Sequence, residues 1–202
     1  MSREDVARLA ARLLYDRKVK EYKDAKEMAA ASLGSKTLPS NYEVAVELDA
    51  LTDRLEGEER QKRLAEMREA ALQVMKGLTH YRPRLMGSVW RGTVRLGSDI
   101  DIIVYGDPEE VEHTLSQSHK VDGRETRRFT LEGLPRETTH ITLTVDGYDA
   151  EVVVRPPRDM EAYRLDRCET YGDHRRGLGV PELEKLMKTD PLRRFVPRRR
   201  SK

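Results

Sequence analysis

Apolar residues recur at helical spacing through the first eighty positions of the chain, and the pattern then changes to strict alternation. Val6, Leu9, Ala10, Leu13 and Leu14 form one stripe behind Ser2 and Asp5, whose three-residue separation predicts an N-capped first helix. The helical pattern reads onward through Lys18-Val19-Lys20-Glu21-Tyr22 toward Ala31, where Ser32-Leu33-Gly34-Ser35 stops it. Ser40 and Glu43 make a second capping box ahead of Val44, Leu48, Leu51 and Leu55, and Gly57 closes that helix. A third helix, from about Glu58 to Leu78, turns Leu64, Met67, Ala71, Met75 and Leu78 inward. It leaves Arg60, Lys62, Arg63, Glu66, Arg68 and Glu69 mostly outside, and it is expected to pack on the sheet that follows.

Alternation begins at Asp99-Ile100-Asp101-Ile102-Ile103-Val104. Successive strand residues point to opposite faces, so Ile100, Ile102 and Val104 share a core face while Asp99 and Asp101 share the other. Asp107-Pro108-Glu109-Glu110 has an N-cap residue, a proline at the first helical position and acids in the first turn, predicting a short helix to about Ser118. A strand is expected around Thr126 to Leu131, with Arg124, Arg127 and Arg128 facing substrate or solvent. His140 to Val154 reads as a hairpin about a type I′ turn at Asp146-Gly147. Its second arm sets Asp149, Glu151 and Val153 on one face and Tyr148, Ala150, Val152 and Val154 on the other. Beyond Pro156-Pro157 the sheet pattern ends; Asp159 to Arg167 reads as helical, Asp173 to Arg176 as a loop framed by glycines, and Pro181 to Lys188 as a last short helix. The fold class is therefore α+β, with a helical region at 1–79, a core at 80–157 and a helical extension with a basic tail at 158–202.

Candidate chemistry concentrates between Met86 and Tyr105. Two carboxylates about 7 Å apart on one strand face repel each other unless a cation lies between them, and hard oxygen donors without His or Cys select Mg²⁺ or Mn²⁺. A pair of such ions would clamp the attacking and leaving oxygens of an in-line phosphoryl displacement. Upstream, Gly87 lets a polyphosphate approach the backbone, Ser88 can donate its hydroxyl, and amides of the following turn add positive partial charge. Arg91 and Arg95 lie nearby, and Gly92-Thr93 and Gly97-Ser98 supply bends before the strand. Glu151 precedes three valines much as Asp101 precedes Ile102-Ile103-Val104, which makes it the candidate third carboxylate, with Asp149 the alternative.

Gly87-Ser88 followed by Asp99-Ile100-Asp101-Ile102 resembles the motif of the DNA-polymerase-β-like nucleotidyltransferase superfamily. The Arg91-Gly92-Thr93 and Gly97-Ser98-Asp99 elements look most like archaeal CCA-adding enzymes, small stand-alone nucleotidyltransferases and the oligonucleotide-synthase branch. The resemblance implies a polymerase-β-like mixed sheet flanked by helices. It also implies transfer of a nucleoside monophosphate from an NTP, ATP among them, to a hydroxyl acceptor without a template, with release of pyrophosphate. In that reading Asp99, Asp101 and Glu151 are catalytic and hold two Mg²⁺ or Mn²⁺ ions, and Gly87, Ser88, Arg91, Thr93 and Ser98 bind the nucleotide. The family usually has Asp at the third position, so Glu151 is a departure, and a catalytically silent nucleotide- or RNA-binding module of the same fold is the alternative. The acceptor stays open between an RNA end, a protein and a small molecule.

Composition narrows the partners. Thirty-eight basic residues against 36 acidic ones give a net charge of only +2, so nucleic-acid binding would need a local basic patch. The tail carries one: Arg193, Arg194, Arg198, Arg199 and Arg200 form a candidate RNA contact, or a disordered solubilising end. One cysteine, Cys168, excludes an intramolecular disulfide and suits a reducing compartment. No apolar run approaches a membrane span, so a cytoplasmic protein without a membrane partner is expected, and a homo-oligomer is compatible with it. One Asn and three Gln beside this density of charge match the trend of thermophilic proteins. Tyr81, Trp90 and Tyr148 are available for packing or for stacking on a base.

Overall fold

The computed structural model describes residues 2–131, 134–161 and 167–198, which divide into two compact units. One unit comprises residues 1–60, 167–173 and 196–202, and the other comprises residues 61–166 and 174–195. The division between these compact units falls inside the helical run, at Arg60.

The first unit is helical. α1 (Arg3–Tyr15) opens with the expected capping box between Ser2 and Asp5, but it does not run on toward Ala31. Arg17 turns left-handed at φ 55°, and α2 (Tyr22–Ser32) starts afresh. Small alanines at positions 7, 10, 11, 25, 29 and 30 let these helices approach closely, and Val6, Leu14, Val44 and Leu48 complete the core. Ser40 and Glu43 cap α3 (Asn41–Gly77), whose continuity is broken where Gly57 leaves helical geometry at φ 48°, ψ −127°. Arg60, expected outside, is buried between Asp49 and Asp53.

The second unit holds a five-stranded mixed sheet in the order β1-β2-β5-β4-β3. The strands are β1 (Arg84–Leu85), β2 (Ile100–Tyr105), β3 (Val121–Leu131), β4 (Leu134–Val145) and β5 (Tyr148–Arg155). β2 and β5 are parallel and the other neighbours antiparallel. The β4–β5 turn has positive φ at both Asp146 and Gly147, as a type I′ turn requires. Ile100, Ile102, Val104, Ala150, Val152, Val154, Ile141 and Leu143 form the buried face, joined by the second half of α3 through Leu64, Met67, Ala71, Met75 and Leu78. α5 (Pro108–Ser116), capped by Asp107 as its sequence predicts, adds Val111 and Leu115 to the same core. α6 (Val180–Thr189) contributes Leu183 and Leu186. The helix expected over Asp159 to Arg167 lies largely outside the described residues; a 3-10 turn covers Pro157–Asp159. Among the described residues no helix is long and apolar enough to cross a membrane.

Arg68 corrects the sequence expectation most sharply. It is fully buried, and its guanidinium donates to the carbonyls of Val89 (3.1 Å), Trp90 (3.0 Å), Pro191 (2.6 Å) and Arg193 (2.9 Å). A 3.6-residue period sorts faces by angle alone and assigned this position to solvent. The carbonyls that satisfy it come from chain segments more than twenty residues away.

Candidate active site

Opposite its core face, the sheet presents a polar face. Parallel pairing sets Asp101 directly beside Glu151, then Ile103 beside Val153 and Tyr105 beside Arg155, all on that side. Asp99 precedes β2 by one residue and is exposed. Asp149, also exposed, pairs with Thr144 at the entry to β5. The sequence alternation thus brings Asp101 and Glu151 together laterally, with Asp99 and Asp149 at the open end of the same two strands.

Gly87 is fixed by this arrangement. Met86 N–H donates to the Asp101 carbonyl (2.8 Å), and Leu85 pairs with Ile102, so the chain enters α4 (Gly87–Arg91) against the acidic strand. Gly87 has φ +62°, and a Cβ placed there would lie 1.8 Å from Asp101 Oδ2. Only glycine allows both the left-handed backbone and the notch that receives the carboxylate. Ser88 follows in the first helical turn; its hydroxyl has no hydrogen-bond partner among the described residues, and its carbonyl accepts from Thr93 N–H (2.9 Å). Ser98 ties the loop before β2, its Oγ accepting from Arg95 N–H (3.0 Å).

Arg91 points elsewhere. It is 5% exposed, donates to the Phe195 carbonyl (2.9 Å) and lies 4.3 Å over the Trp90 ring. Its geometry is that of a strut under the C-terminal segment. Trp90, Tyr81 and Tyr148 also pack: Trp90 is buried, Tyr81 bonds Thr114, and Tyr148 bonds Glu66. The segment after Pro191, by sequence a candidate RNA contact or a disordered end, is tied back onto the chain where it is described. Phe195 N–H donates to the Arg91 carbonyl, and Arg193 stacks on Phe195. Arg193 and Arg194 remain exposed there, Arg198 is exposed in the other unit, and Arg199 and Arg200 lie outside the described residues.

Electrostatics at the carboxylates are unbalanced. Burial, then the negative charges of Asp99 and Glu151, raise the Asp101 carboxyl to about 7, opposed only in part by Arg175. Glu151 Oε1 lies 2.9 Å from His140 Nδ1 and 3.7 Å from Arg127, and His140 Nε2 meets Thr138 Oγ1 at 3.0 Å. His140 stands at the head of the predicted hairpin, and its side chain is only 13% exposed. The signal for it was present in the alternation: His140 and Thr142 share a face of β4, and Thr142 pairs with Glu151. Arg127 joins through β3–β4 pairing, opposite Thr138.

As they stand, no three His, Cys, Asp or Glu side chains among the described residues are disposed around one metal position. The donor chemistry nonetheless fits a hard divalent ion, because an acid held near 7 by burial and by two neighbouring carboxylates is relieved by a cation, and all three donors are oxygen. Glu151, the neighbour of Asp101 in register, is the third oxygen donor of that set, and its Oε1 lies 2.9 Å from His140 Nδ1.

Comparison with solved structures gives a likeness to a structure of the GLD-2/RNP-8 complex, at 13% identity and a TM-score of 0.30. It covers 52% of this chain and 35% of that one, so this chain spans about a third of the solved chain's length. No curated protein matches the chain. The family model described as nucleotidyltransferase domain matches residues 70–161, a span that contains α4, β1 to β5 and the carboxylates of Asp99, Asp101, Asp149 and Glu151. Residues 70–161 thus match the nucleotidyltransferase domain family, and they do so on the mixed α+β sheet that the Gly-Ser and Asp-Ile-Asp-Ile motifs imply.

Proposed function

We propose that the chain transfers a nucleoside monophosphate from an NTP to a hydroxyl acceptor and releases pyrophosphate. The observation that carries this reading is the lateral pairing of Asp101 with Glu151 on an open sheet face, with Gly87 moulded against the Asp101 carboxylate. Asp99, Asp101 and Glu151 would hold two Mg²⁺ or Mn²⁺ ions, which supply charge neutralisation at the α-phosphate and at the attacking and leaving oxygens. The remaining work belongs to the chain. Gly87 opens the backbone to the triphosphate, the Ser88 hydroxyl donates to it, and Thr93 and Ser98 border the same turn. Glu151 receives the proton of the acceptor hydroxyl as oxygen attacks the α-phosphorus and the bond to the pyrophosphate oxygen breaks. His140, fixed by Thr138, sets the orientation of Glu151. Arg91 is left out of the nucleotide-binding set because its guanidinium is committed to Phe195.

A second reading, a silent nucleotide-binding module, draws on the turning of Glu151 toward His140 and on Glu in place of Asp. The two separate on one experiment: pyrophosphate release from NTP in Mg²⁺ or Mn²⁺ with total RNA, total protein and the enzyme itself as acceptors. Release that disappears in Asp99→Asn and Asp101→Asn supports transfer. NTP binding without release in any acceptor fraction supports the silent module.

A further inference from the structure

Beside the carboxylates, on the same face of the sheet, a cleft of about 860 Å³ is built entirely from residues of the second unit. Its floor continues the acidic strand. Ile103 and Tyr105 follow Asp101 on one face, about 7 and 14 Å along β2, and Met86 precedes Gly87 directly. The cleft therefore begins one side-chain repeat away from Asp101, and Arg175 on its wall lies close enough to act on that carboxylate's charge.

The wall is cationic beyond anything the net charge of +2 suggests. Five arginines, Arg82, Arg84, Arg155, Arg175 and Arg176, stand among the described lining residues beside two glutamates, Glu161 and Glu182, the second of which meets Arg84 at 3.1 Å. Arg82, Arg175 and Arg176 are exposed. The wall is also built rather than incidental. Arg84 holds the segment bearing Arg175 and Arg176 by donating to the carbonyls of Arg176 (2.6 Å) and Gly177 (3.1 Å). Leu85 and Leu178 exchange backbone hydrogen bonds beside it, and Gly177, at φ +61°, leaves no room for a Cβ against Leu85 O and Met86 Sδ. His174, which precedes these arginines in the chain and also lines the cleft, has a buried Nδ1 with no hydrogen-bond partner among the described residues.

An apolar floor with one aromatic ring, rimmed by guanidinium groups, is the combination that holds single strands: bases lie on flat side chains while phosphates meet cations. The volume falls in the range of ligand pockets, and the floor residue Ile103 stands two positions from Asp101 on the same strand face. A polycationic acceptor would be repelled by this wall, and an uncharged hydroxyl would have no use for it. We infer that the cleft is the acceptor site and that it takes the 3′ end of a single-stranded nucleic acid, presenting the terminal hydroxyl to the Asp99, Asp101 and Glu151 face. The inference rests on the nucleotidyltransfer reading for the use of the site, but binding there does not require transfer.

The test is binding of short fluorescent single-stranded RNA and DNA to the full chain by anisotropy, without NTP or metal, over a salt series. Arg175→Glu/Arg176→Glu is compared with Lys120→Glu/Lys185→Glu, which makes the same charge change at exposed positions outside the cleft. The cleft variant is expected to bind at least tenfold more weakly at low salt. Its log–log salt slope should be shallower by about 1.4, two phosphate contacts at about 0.7 each. The control variant should bind within about threefold of the wild type. Equal losses in both variants, or no binding to the wild type at low salt, overturn the inference. A second measurement needs no variant: a photoreactive thionucleoside at the 3′ end should crosslink to peptides containing Met86, Tyr105 or His174, and crosslinking confined to other surfaces overturns the site. The RNA and DNA arms identify which sugar the cleft accepts. Cleft-dependent binding without pyrophosphate release would leave the site standing and remove the catalytic reading; release with cleft-independent binding would do the reverse.

Discussion

Asp101→Asn should remove activity and stabilise the metal-free protein, and the two effects have one cause. In the unfolded chain this carboxyl titrates near its ordinary 3.8; in the folded protein it sits at about 7 because it is desolvated and faces Asp99 and Glu151. The folded state therefore holds a proton that the unfolded state has released between roughly pH 4 and pH 7, and stability falls as pH rises through that window. A difference of about three units corresponds to about 4 kcal/mol at most. Because Asp101 is only partly buried, solvent at its open side brings the expected effect to about 1–2 kcal/mol. Asn cannot ionise, so it escapes this loss. Thermal melts in EDTA should show Asp101→Asn above wild type by about 2–8 °C at pH 8, taking about 2–4 °C per kcal/mol for a chain of this size. The gap should close toward pH 5. Saturating Mg²⁺ should raise the wild-type melting temperature at pH 8 and leave Asp101→Asn nearly unmoved. A variant less stable than wild type at pH 8 in EDTA, or a gap independent of pH, would refute the electrostatic reasoning.

Other expectations follow from the same geometry. Gly87→Ala places a methyl on Asp101 Oδ2 at a left-handed backbone position, so it should lose about 1–3 kcal/mol in urea melts and most NTP binding. Arg68→Met leaves the carbonyls of Val89, Trp90, Pro191 and Arg193 without their donor and should cost roughly 3–5 kcal/mol by the same measurement. Glu151→Gln should lower transfer by more than about 100-fold, whereas Asp149→Asn should cost less than about fivefold; the reverse order would reassign the third carboxylate. His140→Gln should lower kcat by about 10–100-fold with little change in melting temperature, since it orients Glu151 rather than supporting the core.

The strand patterns of this chain state their faces directly. In β2 and β5 the period of two separates Ile100, Ile102 and Val104 from Asp101, and Val152 and Val154 from Glu151, so the shared acidic face could be read before any pairing was known. Local chemistry served equally well at Ser2, Ser40, Asp107 and Asp146-Gly147, where one cap or turn rests on a few adjacent residues. What stayed hidden depends on distant partners. Arg17 ends α1 through a backbone conformation that no glycine announces. Arg60 and Arg68 are polar residues on a helix, and nothing in a periodicity shows that carboxylates or carbonyls will close around them. Arg91 lies between two motif residues and reads as a phosphate ligand, yet the return of the chain at Phe195 captures it. His140 was legible in part, by its face on β4, and became a site residue only through the register of β4 with β5.

Paired α- and γ-labelled NTPs test the central claim most directly. Wild-type protein, in Mg²⁺ or Mn²⁺ with RNA, protein and self as acceptors, should move the α-label onto an acceptor and release the γ-label as pyrophosphate. Asp99→Asn and Asp101→Asn should do neither. Transfer of the γ-label instead, or α-label incorporation that survives both substitutions, would contradict nucleotidyl transfer at the Asp99, Asp101 and Glu151 face.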